Sequence, residues 1–300
     1  MNRIASRFSV TDLENLSGVK AHTIRIWEKR YGMLSPERDA QNTRSYDGSS
    51  LKKLLNVTRL YNSGVKISKI ASLEEMELQV MVRDLIDEQA RDGYFIDSFK
   101  VAMLTFDQKL FEDTYNKYVI GKSFRKVFLD VFVPMLYRIG LDWQSSAITP
   151  AHEHFMSNLV RQKISANIDR VSGGEYRADV PVCVLYLPQN EFHELGLMYI
   201  HYELLLKGYH SIFLGQSLPT SYLETIQSLH DEVRFVSYLT VAPGVGSVDA
   251  YAEGVKSLLK EDRNDSFWLV GSQVEKPKEL IDDERFKFFK RIPEALAQIV

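Results

Sequence analysis

The chain of 300 residues contains one cysteine, Cys183. An internal disulfide is therefore impossible, and the cysteine clusters from which structural zinc sites are built are missing. Cys183 lies in the apolar run Val182-Cys183-Val184-Leu185-Tyr186-Leu187, so core packing is its expected role and a reducing cytoplasm the expected location. No uninterrupted apolar stretch approaches the roughly 18 residues that a membrane span needs, so no membrane partner is expected. The start, Met1 to Phe8, has no apolar secretory region and runs directly into a patterned segment. Charge of one sign is not in excess either, with Lys+Arg 37 against Asp+Glu 40. The hydrophobic share of 45% and charged share of 26% are ordinary for a globular chain, and the length suits two or three domains.

The even total conceals an uneven distribution. Residues 1–70 carry 13 Lys/Arg and 6 Asp/Glu, a net +7, which leaves −10 for the remainder of a chain whose net charge is −3. A basic arm on an acidic body suits a phosphate-binding module joined to a sensor. Within the arm, Ser9 or Thr11 can cap a short helix, Gly18 makes a turn, and Lys20 to Tyr31 reads as a second helix. Ile24, Trp27 and Tyr31 recur at helical spacing and should pack inward, leaving His22, Thr23, Arg25, Lys29 and Arg30 toward solvent or phosphate. The run Thr23-Ile24-Arg25-Ile26-Trp27-Glu28-Lys29-Arg30-Tyr31-Gly32, with the later Asn42-Thr43-Arg44-Ser45-Tyr46, resembles the winged helix-turn-helix of MerR-type transcription regulators. That resemblance implies double-stranded DNA as partner, contacted by these exposed residues together with Arg44 and Tyr46. It also implies a symmetric dimer on a palindromic operator.

Beyond the arm, the pattern is helical over 74–91, 94–104, 107–119, 123–139 and 150–170. Phe124, Val127, Phe128, Val131 and Met135 form an inward stripe of a bundle of about four helices. The glycine pair of Ser172-Gly173-Gly174 marks a linker. From 180 onward strands (181–187, 209–214, 233–239, 266–271) alternate with helices (195–206, 220–230, 247–260, and a last one at about 277–289). Such alternation indicates a doubly wound parallel sheet.

The most informative loop follows the first of these strands: Pro188-Gln189-Asn190-Glu191-Phe192-His193-Glu194-Leu195-Gly196. Open α/β sheets bind ligands at the carboxyl ends of their strands. His193 can offer an imidazole nitrogen to a metal, Glu191 can accept the proton of the other nitrogen, and Gly196 can let a flat ligand approach the backbone. A hydrogen-bonded, metal-free histidine is the alternative. Upstream, Trp143 precedes the pair Glu153-His154. Thr149 and Pro150 suit a helix N-cap and first position, which places the pair near a helix start. A zinc site from His152 and His154 is excluded, because residues two apart on a helix do not share a face.

The Glu191-x-His193-x-x-Gly196 pattern resembles the signature of cobalamin-binding domains. Trp143 with Glu153-His154 resembles the helical cap of cobalamin-dependent light-sensing regulators. The resemblance implies three domains: a winged helix (1–73), a helical bundle cap (74–172) and a flavodoxin-like cobalamin-binding domain (180–300). It implies His193 as the lower cobalt ligand, and Trp143, Glu153 and His154 on the upper face of the cofactor. Ser237-Tyr238-Leu239 and Gly271 would accommodate its nucleotide tail. Adenosylcobalamin would be the cofactor and light the signal. The regulator, a repressor and not an enzyme, would work as a homo-oligomer, dimer or tetramer, with no catalytic residues. Two residues depart from the family pattern: Ser272 where a second glycine is usual, and Gln144 where some relatives carry a histidine. Two other readings stay open. One is a regulator that has lost cobalamin and uses the α/β domain for protein contacts. The other is a corrinoid carrier module of a methyltransferase.

Overall fold

The computed structural model describes residues 7–38, 42–84, 88–144, 148–240, 251, 254–271, 274 and 283–299, and their side chains except at 83, 84, 88–92, 143 and 144. The chain divides into two compact units, Met1–Leu159 and Val160–Val300.

The first unit opens with α1 (Val10–Ser17). The Ser9 hydroxyl accepts from the Asp12 N–H while the Asp12 carboxylate accepts from the Ser9 N–H, which satisfies two orphan donors of the helix start. Gly18, at φ 73, ends the helix in the left-handed region. No side chain caps α2 (Ala21–Tyr31) at Lys20; the Ala21 N–H instead donates to Glu14 of α1. Leu13, Ile24 and Trp27 form the buried seam of this pair, whereas Tyr31 is only half-buried. A two-stranded antiparallel ribbon follows, β1 (Glu37–Arg38) with β2 (Arg44–Ser45), and then α3 (Gly48–Asn62), capped by the Asp47 carboxylate.

Short α4 (Ile67–Ala71) leads to α5 (Glu75–Asp84), α6 (Glu88–Leu104), α7 (Gln108–Val119) and α8 (Phe124–Val127). A π-helical turn (Phe128–Phe132) then continues into α9 (Val133–Gln144). The stripe Phe124, Val127, Phe128, Val131 and Met135 is buried, as the sequence pattern indicates. Within it Phe124 meets Phe128 at a centroid separation of 6.3 Å, and Phe128 meets Phe132, whose ring lies 5.8 Å from Phe99 and 6.4 Å from Phe111. The sequence-predicted break between helices near 92–93 is corrected, since α6 runs through Gly93. A Cβ there would lie 3.0 Å from the guanidinium of Arg59, which pairs with Asp97 at 2.8 Å. The glycine leaves room for α3 against α6. It does not end a helix.

Helix α10 (Pro150–Val171) is continuous across the division between the units. The second unit holds strands β3 (Val182–Tyr186), β4 (Ser211–Gly215), β5 (Val233–Tyr238), β6 (Ser266–Val270) and β7 (Phe286–Phe289), all parallel in the order β4-β3-β5-β6-β7. Helix α11 (Leu195–Leu206) joins β3 to β4 and is buried along most of its length. From β3 the chain goes to one side for β4 and returns to the other for β5. The crevice at the carboxyl end of β3 is therefore the point where the winding direction switches.

Two expectations in this unit are corrected. The helix expected over 220–230 shortens to a 3-10 turn (Thr220–Tyr222) and one helical turn, α12 (Glu224–Gln227), because the Gln227 amide turns inward to the Leu258 carbonyl and Asp265. The last helix, expected at about 277–289, gives way at 286–289 to β7, whose Phe286, Phe288 and Phe289 suit a sheet. The helix there is α13 (Ile292–Leu296), with Pro293 in its first turn. Most of the helix expected at 247–260 lies outside the described residues.

The starts of β5 and β6 are tied together by Asp265, which is fully buried. Its carboxylate accepts from the Val233 N–H (2.7 Å), Gln227 Nε2 (2.6 Å) and Arg263 Nε (2.7 Å). Asp265→Ala leaves these donors unmatched and is expected to lower unfolding stability by about 3–5 kcal/mol. Urea denaturation of the full chain measures this, and a loss below about 1 kcal/mol would contradict the role given to Asp265.

Candidate functional site

The loop after β3 is organised around one buried carboxylate. The chain enters it through Asn190, at φ 69, whose N–H donates to Ser217 Oγ at 3.1 Å. Glu191 is 4% exposed. Its Oε1 accepts from the Phe192 N–H and His193 N–H (each 2.9 Å) and lies 2.6 Å from His193 Nδ1. Its Oε2 accepts from the Thr240 N–H, just past β5, at 3.3 Å. Burial opposes ionisation of Glu191, but the hydrogen bonds from the His193 ring and backbone outweigh it and hold the carboxyl below its ordinary pKa. An ionised Glu191 assigns the proton to Nδ1, so metal coordination by this imidazole runs through Nε2. The His193 side chain is 56% exposed while its carboxylate partner is buried, the arrangement usual for a metal-ligating histidine. The donor set at this point fits a cobalt corrinoid.

The rest of the loop shows contacts that spacing did not disclose. Glu194, buried beside His193, pairs with Arg161 of α10. A Cβ on Gly196, in the first turn of α11, would lie 2.6 Å from the ring of Tyr238. The close approach expected there of a flat ligand is made in this structure by Tyr238. Burial first, and the charge of Glu191 second, raise the pKa of that phenol. Ser237 is fully buried, with its Oγ 3.2 Å from the Tyr251 hydroxyl, which lies 2.7 Å from that of Tyr186. Leu239 is in the core beneath the sheet. Gly271 has φ +140, and a Cβ there would fall 2.0 Å from the Leu239 carbonyl oxygen, so the chain after β6 passes against that after β5 at a place only glycine can occupy. Ser272 lies outside the described residues.

In the helical unit, Trp143 is the last residue but one of α9, and its side chain and that of Gln144 lie outside those described. His152 is occupied in starting α10: its Nδ1 accepts from the Thr149 N–H at 3.1 Å, and its ring stacks on Phe106 at 4.7 Å. Glu153 takes the Ser157 hydroxyl on Oε1 and sits with Oε2 3.1 Å from Nδ1 of the exposed His154. The structure thus brings Glu153 and His154 together on the first turns of α10.

On α2, His22, Arg25, Lys29 and Arg30 are exposed and Thr23 is half-buried, on the side opposite Ile24 and Trp27. Glu28, which sequence reasoning passed over, is the hub of the wing. It accepts from Arg44 Nε at 3.0 Å and the Tyr46 hydroxyl at 2.8 Å. Its signal was available, as the one acid in a run of cations. The placement of Tyr46 among DNA-contacting residues is corrected. It is 1% exposed, its backbone pairs with Phe8, and burial with the Glu28 bond pushes its phenol up to about 12. Tyr46 anchors the wing. Arg44 keeps a third of its side chain exposed, 32%.

Comparison with known proteins finds relatives for both parts of the chain. The profile of the MerR HTH family regulatory protein matches residues 8–77, and that of the B12 binding domain matches residues 96–166, on helices α6 to α10. The HTH-type transcriptional repressor CarH of Myxococcus xanthus is 31% identical over 234 residues, covering 76% of this chain and 76% of that protein. The repressor CarA of the same organism is 24% identical over 220 residues, 72% of this chain and 70% of that one. Among solved structures, the monomethylamine corrinoid protein of Methanosarcina barkeri superposes with a TM-score of 0.52 at 11% identity, covering 72% of this chain and 96% of that one; this likeness concerns the fold alone. The chain belongs to the MerR-type transcription regulators that carry a cobalamin-binding domain.

Proposed function

We propose that this regulator is a repressor whose hold on a palindromic operator is set by bound cobalamin, with adenosylcobalamin as the form used and light as the signal. The observation that carries the reading is the Glu191–His193 pair at the switch point of the sheet, in which Nδ1 is held and coordination would fall to Nε2. Adenosylcobalamin, when bound, supplies a cobalt–carbon bond that visible light breaks. His193 would hold the cobalt, and Glu191 orients the imidazole ring. Gly196, Ser237, Leu239 and Gly271 would border the rest of the cofactor site, which requires the Tyr238 ring to leave Gly196, while Trp143, Glu153 and His154 would respond to the adenosyl group. The domains divide near residues 73 and 180, and the protein works in the cytoplasm as a dimer or tetramer. The cofactor shifts assembly only by its differential affinity for the two arrangements, so a residue that touches the group released on illumination is the lever.

On DNA, Arg25, Lys29, Arg30 and Arg44, with His22 and Thr23, reach phosphates or base edges, and Tyr46 acts indirectly by holding the wing on Glu28. A second reading is favoured by the Tyr238 ring on Gly196: the α/β unit serves protein contacts without cofactor. Cobalamin titration separates the two.

The double variant Arg25→Ala/Arg44→Ala is expected to bind operator more weakly at every sequence tested. The slope of log affinity against log salt should become shallower by about 0.9 for each phosphate that is no longer neutralised. Undiminished binding by gel shift would remove the interface assignment. His193→Ala is expected to lose the absorption change that accompanies histidine ligation of cobalamin, whereas Cys183→Ser keeps it; an unchanged spectrum in the alanine variant excludes His193 as lower ligand. Trp143→Ala is expected to retain cobalamin yet show the same elution volume in size-exclusion chromatography before and after green light. A light-dependent change of size in that variant places the lever elsewhere.

A further inference from the structure

Ile26 is 51% exposed on α2, although Ile24 and Trp27 of the same helix are buried. Rotation of the helix cannot bring it inward. Ile24 lies two positions away, on another face, and Trp27 is held edge to face against Tyr61 of α3 at a centroid separation of 5.2 Å. Helix formation does not account for the residue either, since a β-branched side chain is a poorer helix former than the Lys or Arg beside it. Its surface neighbours are His22, four positions before it, and Lys29 and Arg30, three and four positions after it, with Arg25 alongside, and all four are exposed. An apolar side chain thus stands in the middle of a cationic stripe. Phosphate rewards the cations and offers nothing to the isoleucine. The major groove does offer something, because thymine presents an apolar C5-methyl group there among the donors and acceptors of the other base edges.

We propose that Ile26 is a specificity-determining residue of α2, which reads a thymine through its C5-methyl group. The inference rests on the DNA-binding reading above and deepens it by naming a base and an atom that the cations do not select. The second helix of a helix-turn-helix lies in the major groove, so a side chain at the centre of its exposed face meets base edges while the flanking cations reach toward the backbone. Ile24 and Trp27 fix the helix on its core side, so Ile26 is presented to the groove before DNA arrives. Removing one methyl from such an apolar contact weakens binding about fourfold.

The test uses the full chain. Duplexes are enriched on the wild-type protein from a random-sequence library, and each thymine of the enriched duplex is replaced in turn by deoxyuridine, which lacks only the methyl. Fluorescence anisotropy then gives the affinity of wild type and I26A for every duplex. One thymine per half-site is expected whose replacement weakens wild type about fourfold and leaves I26A unaffected, so that I26A binds both duplexes as wild type binds the deoxyuridine one. That equality also shows that the variant is folded. Equal deoxyuridine effects in the two proteins overturn the proposal, because another residue then senses the methyl. A loss in I26A of the same size on every duplex also overturns it, since Ile26 would then support the helix and read no base. A wild-type chain that enriches no duplex overturns the DNA-binding reading of α2 together with this inference, whereas enrichment of a duplex insensitive to every replacement overturns the inference alone.

Discussion

The Glu191 carboxylate is the constraint on which the candidate site depends. It takes two backbone N–H groups and one ring nitrogen from its own loop, and a fourth donor from the chain beyond β5. Hydrogen bonds to a charged acceptor contribute about 1.5–3 kcal/mol each, so this one group fixes the loop after β3, its distance from the loop after β5, and the tautomer of His193. The two loops flank the crevice where the winding of the sheet reverses. A metal ligand held in this way is set before any cofactor arrives. Burial, and after it this carboxylate, raise the pKa of Tyr238, whose ring covers Gly196.

The winged helix repeats the device at a different scale. Glu28 gathers Arg44 and Tyr46 onto α2, so the wing and the basic helix keep a fixed relation while Arg25, Lys29 and Arg30 remain outside. In both places an acid among groups of another kind does the positioning. Helix α10 adds continuity. It begins with the Thr149–His152 cap, carries Glu153 and His154 on its first turns, and further along presents Arg161 to Glu194.

Much of the architecture was legible because it is written in periodicity. Helix α11 falls at the residues the pattern marked, and strands β3, β5 and β6 fall within a residue or two. Glu191 and His193 were legible because a side chain two residues away can fold back onto a ring within one loop. Contacts between distant segments left no such trace. Arg161 meets Glu194 across 33 positions, and Tyr238 reaches Gly196 from another strand. Tyr46 misled because a tyrosine in a wing reads as a surface group, while its hydroxyl had a buried acceptor 18 positions away. The segment 286–289 was expected within a last helix at about 277–289, whereas Phe286, Phe288 and Phe289 add a fifth strand there.

The central claim is that His193, oriented by Glu191, is a cobalt ligand. Electron paramagnetic resonance of the full chain loaded with cob(II)alamin, after growth with nitrogen-15 histidine, tests it most directly. An axial imidazole from the protein gives superhyperfine lines split into doublets by nitrogen-15, and His193→Ala abolishes them. Triplets that persist in the labelled protein would show that the cofactor's own base occupies the lower face, and would contradict the account.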